Sequence, residues 1–241
     1  MRQVQPAFAF RRPSRIVSIT LVVLSVLWVV YALSRFWPGI AQVFSYLPLY
    51  PSAVVNELEL WRLVTYPLLH HTTSAFHLLF NGLILYWAGS ELERRWGGRR
   101  FLGFMLLTTL AGGVFVVIAW LLGLSIANSV IGASAITEGL IVAWGLIFRD
   151  RTIYFFFVLP MRGLHIIWFA ILLAVLDAIS TSPVSAAAHF GGIFMGLVLA
   201  SGIWRTNKMK LWWDDLLVKL RLRKSPKLYV VPKGPSRYDI N

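Results

Sequence analysis

Residues 131–148 run IGASAITEGLIVAWGLIF, an apolar stretch that carries a serine at 134 and a glutamate at 138. As a helix it approaches the length needed to cross roughly 30 Å of hydrocarbon. Polar side chains in such a segment cost several kcal/mol unless they are paired or face water. The stretch therefore reads as a membrane helix with a polar site built into one end.

Working outward, five further segments have similar apolarity: Ile16–Leu33, Ala75–Leu92, Phe101–Leu124, Leu164–Ile179 and Val184–Trp204. Composition agrees, with 58% hydrophobic and only 14% charged residues and a mean hydropathy of +0.70. Soluble domains carry about 25% charged residues, so the chain falls in the polytopic membrane class. The first segment is too long, and too weakly followed by small residues, for a cleaved signal; it reads as a retained anchor. The sequence has no cysteine, which removes disulfides, thiolate metal sites and a thiol nucleophile.

The net charge of +13 would suit a nucleic-acid binder, but its placement argues otherwise. Arg2, Arg11, Arg12 and Arg15 precede the first segment. Arg94, Arg95, Arg99 and Arg100 lie between the second and third; Arg149, Arg151 and Arg162 lie between the fourth and fifth. Ten more follow the sixth, and only Arg35 and Arg62 of the 23 basic residues fall on the other side. This is positive-inside bias and predicts six spans with both termini cytoplasmic.

The predicted architecture is thus an all-α, six-transmembrane-helix bundle over residues 16–204. A basic cytoplasmic segment (1–15) precedes it and a basic cytoplasmic tail (205–241) follows. In the tail, Met209, Trp212, Trp213, Leu216, Leu217 and Leu220 share one helical face while Lys208, Lys210, Lys219 and Lys224 lie elsewhere. That pattern predicts an amphipathic helix near 208–224 suited to anionic lipid. The loop from Trp37 to Ser74 is rich in prolines and aromatics and is expected in the interface. No internal repeat supports a transporter of inverted halves.

With the N-terminus inside, spans two, four and six all enter from the outer side. His77 and Asn81 lie four residues apart near the start of span two, Ser134 in the first turn of span four, and His189 in the second turn of span six. At 1.5 Å per residue, all four sit within about two turns of the outer boundary. Any one could be interhelical glue, worth about 0.6 kcal/mol per hydrogen bond. Together, at one depth, they suggest chemistry. His189 would take the proton of Ser134, making the hydroxyl a nucleophile. Asn81, His77 and the free amide of Ser134 at a helix N-terminus would stabilise an oxyanion. Gly192 and Gly196 form a small-xxx-small face that lets span six approach closely.

These segments resemble the rhomboid family of intramembrane serine proteases. The resemblance rests on Trp61-Arg62, His77-Leu-Leu-Phe-Asn81, Glu91-Leu-Glu93-Arg-Arg-Trp-Gly97, Gly132-Ala-Ser134 and Ala188-His189-Phe-Gly-Gly192, in that order. It implies a Ser134–His189 dyad opening to the outer side, His77 and Asn81 as oxyanion donors, and a structural role for Trp61-Arg62. It also implies transmembrane protein substrates and no cofactor; no metal motif such as H-E-x-x-H is present. A bacterial plasma membrane fits the absence of cysteine and of a transit-like N-terminus.

Two positions depart from the family pattern. Ala135 stands where Gly-x-Ser-Gly would place glycine, and Glu138 stands where many rhomboids carry an aromatic on the histidine. Glu138 is expected either to pair with His189 or a nearby polar group, giving a Ser-His-Glu arrangement, or to bond a backbone carbonyl as a protonated acid. The departures keep open a pseudoprotease that binds membrane helices without cutting; a small transporter or channel is the more distant rival. His70 and His71 read as interfacial hydrogen-bonders and Asp177 as a solvated acid.

Overall fold

The computed structural model describes residues 12–124, 129–155, 159–180 and 183–202. The predicted tail helix and nearly all of the N-terminal segment lie outside them. The described chain is mostly helical: α1 (Arg15–Ser34), α2 (Pro38–Ser45), α3 (Pro51–Asn56), α4 (Arg62–Thr65), α5 (Phe76–Ile84), α6 (Ser90–Trp96), α7 (Gly98–Leu121), α8 (Ser134–Ile147), α9 (Gly163–Ser180) and α10 (Pro183–Ser201). α1 and α7 are long and apolar enough to cross a bilayer, and Ser134–Ile147, Gly163–Ile179 and Ala186–Ser201 are shorter apolar helices.

The second apolar segment is two helices, α5 and α6, joined by a π-helical turn over Leu85–Gly89. Glycines set several helix boundaries. Gly97 (φ +79°) separates α6 from α7, and Gly132 (φ +116°) ends the irregular approach to α8. The fourth segment therefore becomes helical only at Ser134, three residues later than its apolarity suggests.

One element corrects the all-α expectation. Thr152–Phe155 and Leu159–Arg162 pair as an antiparallel hairpin, β1 and β2, with Ile153 opposite Met161. Thr152-Ile-Tyr-Phe is β-branched and aromatic, which favours a pleated strand over a loop.

Small residues fix the register of the bundle. A Cβ added to Gly192 would lie 2.1 Å from the Ala135 carbonyl oxygen, and one on Gly196 would lie 2.7 Å from that of Gly139. α10 and α8 therefore run parallel with their backbones in contact. On α7, Gly112 meets Ala135 while Thr108 meets Gly139, so α7 runs antiparallel to α8. On the other side of α8, Trp144 is fully buried with Leu140, Leu85, Leu92 and Phe101. Close van der Waals packing of such side chains holds membrane helices together, since lipid is as apolar as they are.

The acidic motif between the second and third segments is structural. The Glu93 carboxylate accepts the Ser14 hydroxyl and the Ile16 and Val17 amides, the latter two at 3.0 Å, so it caps α1. Orphan amides and the positive end of a helix dipole favour such an anion. Glu91 accepts the Trp144 indole N–H at 2.8 Å and pairs with Arg151.

The long loop is tied down by Arg62. Its buried guanidinium pairs with Glu59, donates to the Ser45 and Pro48 carbonyls (3.1 and 2.8 Å), and lies over the Tyr50 ring. The Trp61 indole donates to the Tyr46 carbonyl at 3.1 Å. Leu49 and Val130 exchange backbone hydrogen bonds (3.0 and 2.9 Å), which pins this loop to the strand-like lead into Ser134.

Candidate active site

Ser134 opens α8, where the helix pattern leaves the first amides without partners inside the helix. The lead-in is fixed from both sides. The Gly132 amide donates to the Tyr66 carbonyl at 3.0 Å. The Ala133 amide donates to His70 Nε2 at 3.3 Å. The Ile136 and Thr137 amides both donate to the Ala133 carbonyl.

His77 packs its ring edge on the same turn. A Cβ on Gly132 would lie 2.5 Å from His77 Cε1 and 2.6 Å from Nε2, so only glycine leaves room for the imidazole. The positive φ of Gly132 independently disfavours any other residue. His77 Nδ1 is buried without a hydrogen-bond partner among the described residues. Asn81, one turn along α5, is buried; its Nδ2 donates to the His77 carbonyl at 2.9 Å. Its Oδ1 accepts the Thr137 hydroxyl at 2.8 Å. An amide has two N–H groups, so one remains for other use. Thr137, which also donates to the Ser134 carbonyl at 3.1 Å, escaped the sequence reading. A buried hydroxyl three residues after the serine was its available signal.

Gly192, one turn further along α10 than His189, touches Ala135, the residue after Ser134. His77 meets Gly132 and bonds Asn81, Thr137 links Asn81 to the Ser134 carbonyl, and His77 lies within electrostatic reach of His189 and Asp177. No hydrogen bond links the Ser134 hydroxyl to His189 among the described residues, while His189 Nδ1 lies 3.9 Å from Asp177 Oδ2.

Two expectations are corrected here. Glu138 does not pair with His189: its Oε2 is buried without a hydrogen-bond partner among the described residues. The register explains this. Gly192 is level with Ala135 and Gly196 with Gly139, which puts Glu138 about six residues, or about 9 Å, deeper than His189 along the parallel helices. Asp177, partly exposed, is the acid beside that histidine.

His70 is also not interfacial but fully buried. Its ring lies 5.0 Å from that of His77, and His71 lies 5.3 Å from His77. No group of three His, Cys, Asp or Glu among the described residues is arranged to hold a metal ion. Burial, and then the neighbouring His77 and His71, push the His70 pKa down to about 3. The unfolded chain keeps a histidine near 6.5, so below that pH it binds a proton the folded form refuses. This site adds no pH dependence above 6.5. Between pH 6.5 and 3 stability falls as pH falls, by up to about 1.4 kcal/mol per unit. Thermal unfolding in detergent at pH 7, 6 and 5 should show the decline, and His70→Gln, which can still accept from Ala133, should flatten it. A wild-type midpoint unchanged from pH 7 to 5 would contradict this.

The extra methyl of Ala135 is accommodated on the α7 side. Ala135 is fully buried, and a Cβ on Gly112 would lie 2.6 Å from both the Ala135 Cβ and the Tyr66 hydroxyl. That hydroxyl donates to the Thr109 carbonyl at 3.0 Å and is not free to move. Gly112→Ala should therefore cost about 1–3 kcal/mol of stability by overpacking. Gly112→Ala combined with Ala135→Gly should recover only part of that cost, because the Tyr66 hydroxyl remains in the way. Additive losses in a double-mutant cycle would show that the two methyls do not compete.

Residues 57–206 match the Rhomboid domain family, which is more than half of the chain, and the chain belongs to that family of membrane proteins. It is similar to a protein named Rhomboid protease GlpG of Photorhabdus laumondii subsp. laumondii, 28% identical over 190 residues, covering 76% of this chain. The chain spans 60% of the length of that relative. A second, also named Rhomboid protease GlpG, from Haemophilus influenzae, is 25% identical over 183 residues, covering 75% of this chain and 88% of its own length.

Proposed function

We propose that this chain is an intramembrane serine endopeptidase that cuts transmembrane protein substrates near the outer side of a bacterial plasma membrane. What supports the reading is the seating of Ser134 at the first turn of α8, together with the close approach of α10 at Gly192, one turn from His189, to Ala135, the residue after the serine. Six spans with cytoplasmic termini are part of it. The antiparallel packing of α7 on α8, the parallel packing of α10 on α8, and the basic clusters on one side support that topology.

α8 has 14 residues, about 21 Å, which is shorter than roughly 30 Å of hydrocarbon. A short α8 fits a serine set below the membrane surface, where water must reach it for hydrolysis. The outward-facing side chains of α1, α7 and α9, among them Val22, Leu106 and Trp168, are exposed and apolar, as a lipid-facing surface requires.

In the reaction, Ser134 Oγ attacks the scissile carbonyl carbon while His189 Nε2 takes the hydroxyl proton. The resulting oxyanion meets the Ser134 amide, the second N–H of Asn81 and His77. The C–N bond breaks as His189 returns the proton to the leaving amine, giving an acyl-enzyme. Water, deprotonated by the same histidine, releases the acid and restores Ser134. Preorganised donors of this kind are typically worth about 100–1,000-fold each in rate. The basic tail would hold anionic lipid headgroups.

Reconstitution in vesicles of bacterial lipid with single-span reporter proteins tests the reading. Wild type should cut reporters at sites near the outer end of their span. A folded protein that binds the reporters but leaves them intact would favour the non-cutting relative instead.

A further inference from the structure

We infer that Asp177 is the positioning residue for His189, so that the reactive set is Ser134–His189–Asp177. The inference rests on the serine-protease reading above and extends it. An imidazole can accept from serine only if the receiving nitrogen is bare, which requires its proton on the other nitrogen. Asp177 Oδ2 lies 3.9 Å from His189 Nδ1, on the side of the ring away from the nitrogen that must serve Ser134. A carboxylate there, though beyond hydrogen-bond length, favours the Nδ1–H tautomer by its charge.

The chain holds this pair at one depth. Asp177 is in the last turn of α9, which ends at Ser180, and His189 is in the second turn of α10, which starts at Pro183. The other acid near the site, Glu138, lies too deep by the register of α8 on α10. The Asp177 and His189 side chains are 28% and 20% exposed, so both border the water that hydrolysis needs. Substrate that displaces this water strengthens the attraction between them.

The test is the rate at which a fluorophosphonate labels the purified full chain. Ser134 Oγ forms the P–O bond, the P–F bond breaks with fluoride leaving, and the hydroxyl proton passes to His189. Asp177→Glu, one methylene longer, can still reach Nδ1 and should label at close to the wild-type rate. Asp177→Ala loses the anchor and should fall by about 10–100-fold. Asp177→Asn keeps the shape, but its amide N–H donates to Nδ1 and drives the proton onto Nε2; it should fall by about 1,000–10,000-fold.

Asn slower than Ala is the order that a merely structural role would not produce. Nitrogen-15 spectra of the histidines, with His189→Ala to identify the signal, give a second readout. They should show His189 protonated at Nδ1 in wild type and at Nε2 in Asp177→Asn. Equal labelling of wild type, Ala and Asn, or a wild-type His189 protonated at Nε2, overturns the positioning role while leaving the protease reading intact. A wild type that does not label at all overturns both.

Discussion

Ser134→Ala is expected to abolish cleavage and probe labelling, and His189→Ala to come close to doing so, each by about 1,000-fold or more. The size follows from how the two groups act. A serine hydroxyl at neutral pH is a poor nucleophile until a base removes its proton in the transition state. Take away His189 and the hydroxyl remains, seated at the same helix N-terminus but inert. Take away Ser134 and the histidine has nothing to activate except water. Because the two serve one step, the double variant should be no worse than the single serine variant. Stability should change little, since Ser134 and His189 are both only partly buried and share no hydrogen bond among the described residues. Two inactive variants that melt with wild type would separate lost chemistry from lost fold.

Gly192→Ala is expected to have the second-largest effect, and for a different reason. The added methyl would sit 2.1 Å from the Ala135 carbonyl oxygen, with the backbone of Ala135 also within 2.8 Å. No side chain can rotate away there, because the obstacle is helix backbone. α10 must move off α8 by something like 1 Å, and overpacking of this kind costs about 1–3 kcal/mol or more. The same shift carries His189 away from Ser134. Misplacement of reacting groups by about 1 Å can cost about 100-fold in rate. Gly192→Ala should therefore lower the thermal midpoint and cut the labelling rate at temperatures where the protein is still folded. Gly103, on α7 with open space beside it, is the control: Gly103→Ala should do neither.

Much of this was legible in the sequence, and the physical reasons show where legibility stops. Long apolar runs report burial in lipid or core, so the helices fell close to the apolar segments. Their ends did not, because Gly97 and Gly132 act through backbone angle, which hydropathy does not register. The hairpin at Thr152–Arg162 was hidden because a short apolar run fits a strand or a loop edge equally well. Ser134, His77, Asn81 and His189 stood out as candidates since polar groups at one membrane depth are expensive and conspicuous.

Of the two expectations for Glu138, the His189 pairing fails on register. Glu138 shares a helical face with Ser134, but its height relative to His189 depends on the slide of α10 along α8, which only the Gly192–Ala135 contact reveals. Asp177 had the right depth, near the outer ends of both segments, and depth matching across the fifth and sixth could have paired it with His189. His70 looked like a loop residue by position; its burial comes from the loop folding back beneath the lead into Ser134.

The most direct measurement is site mapping of a fluorophosphonate adduct by mass spectrometry on the purified wild type, with Ser134→Ala and His189→Ala alongside. The account predicts one adduct, on Ser134, absent from the first variant and at least about 1,000-fold slower in the second. A well-folded wild type that stays unmodified, or that is modified on another serine, would contradict it.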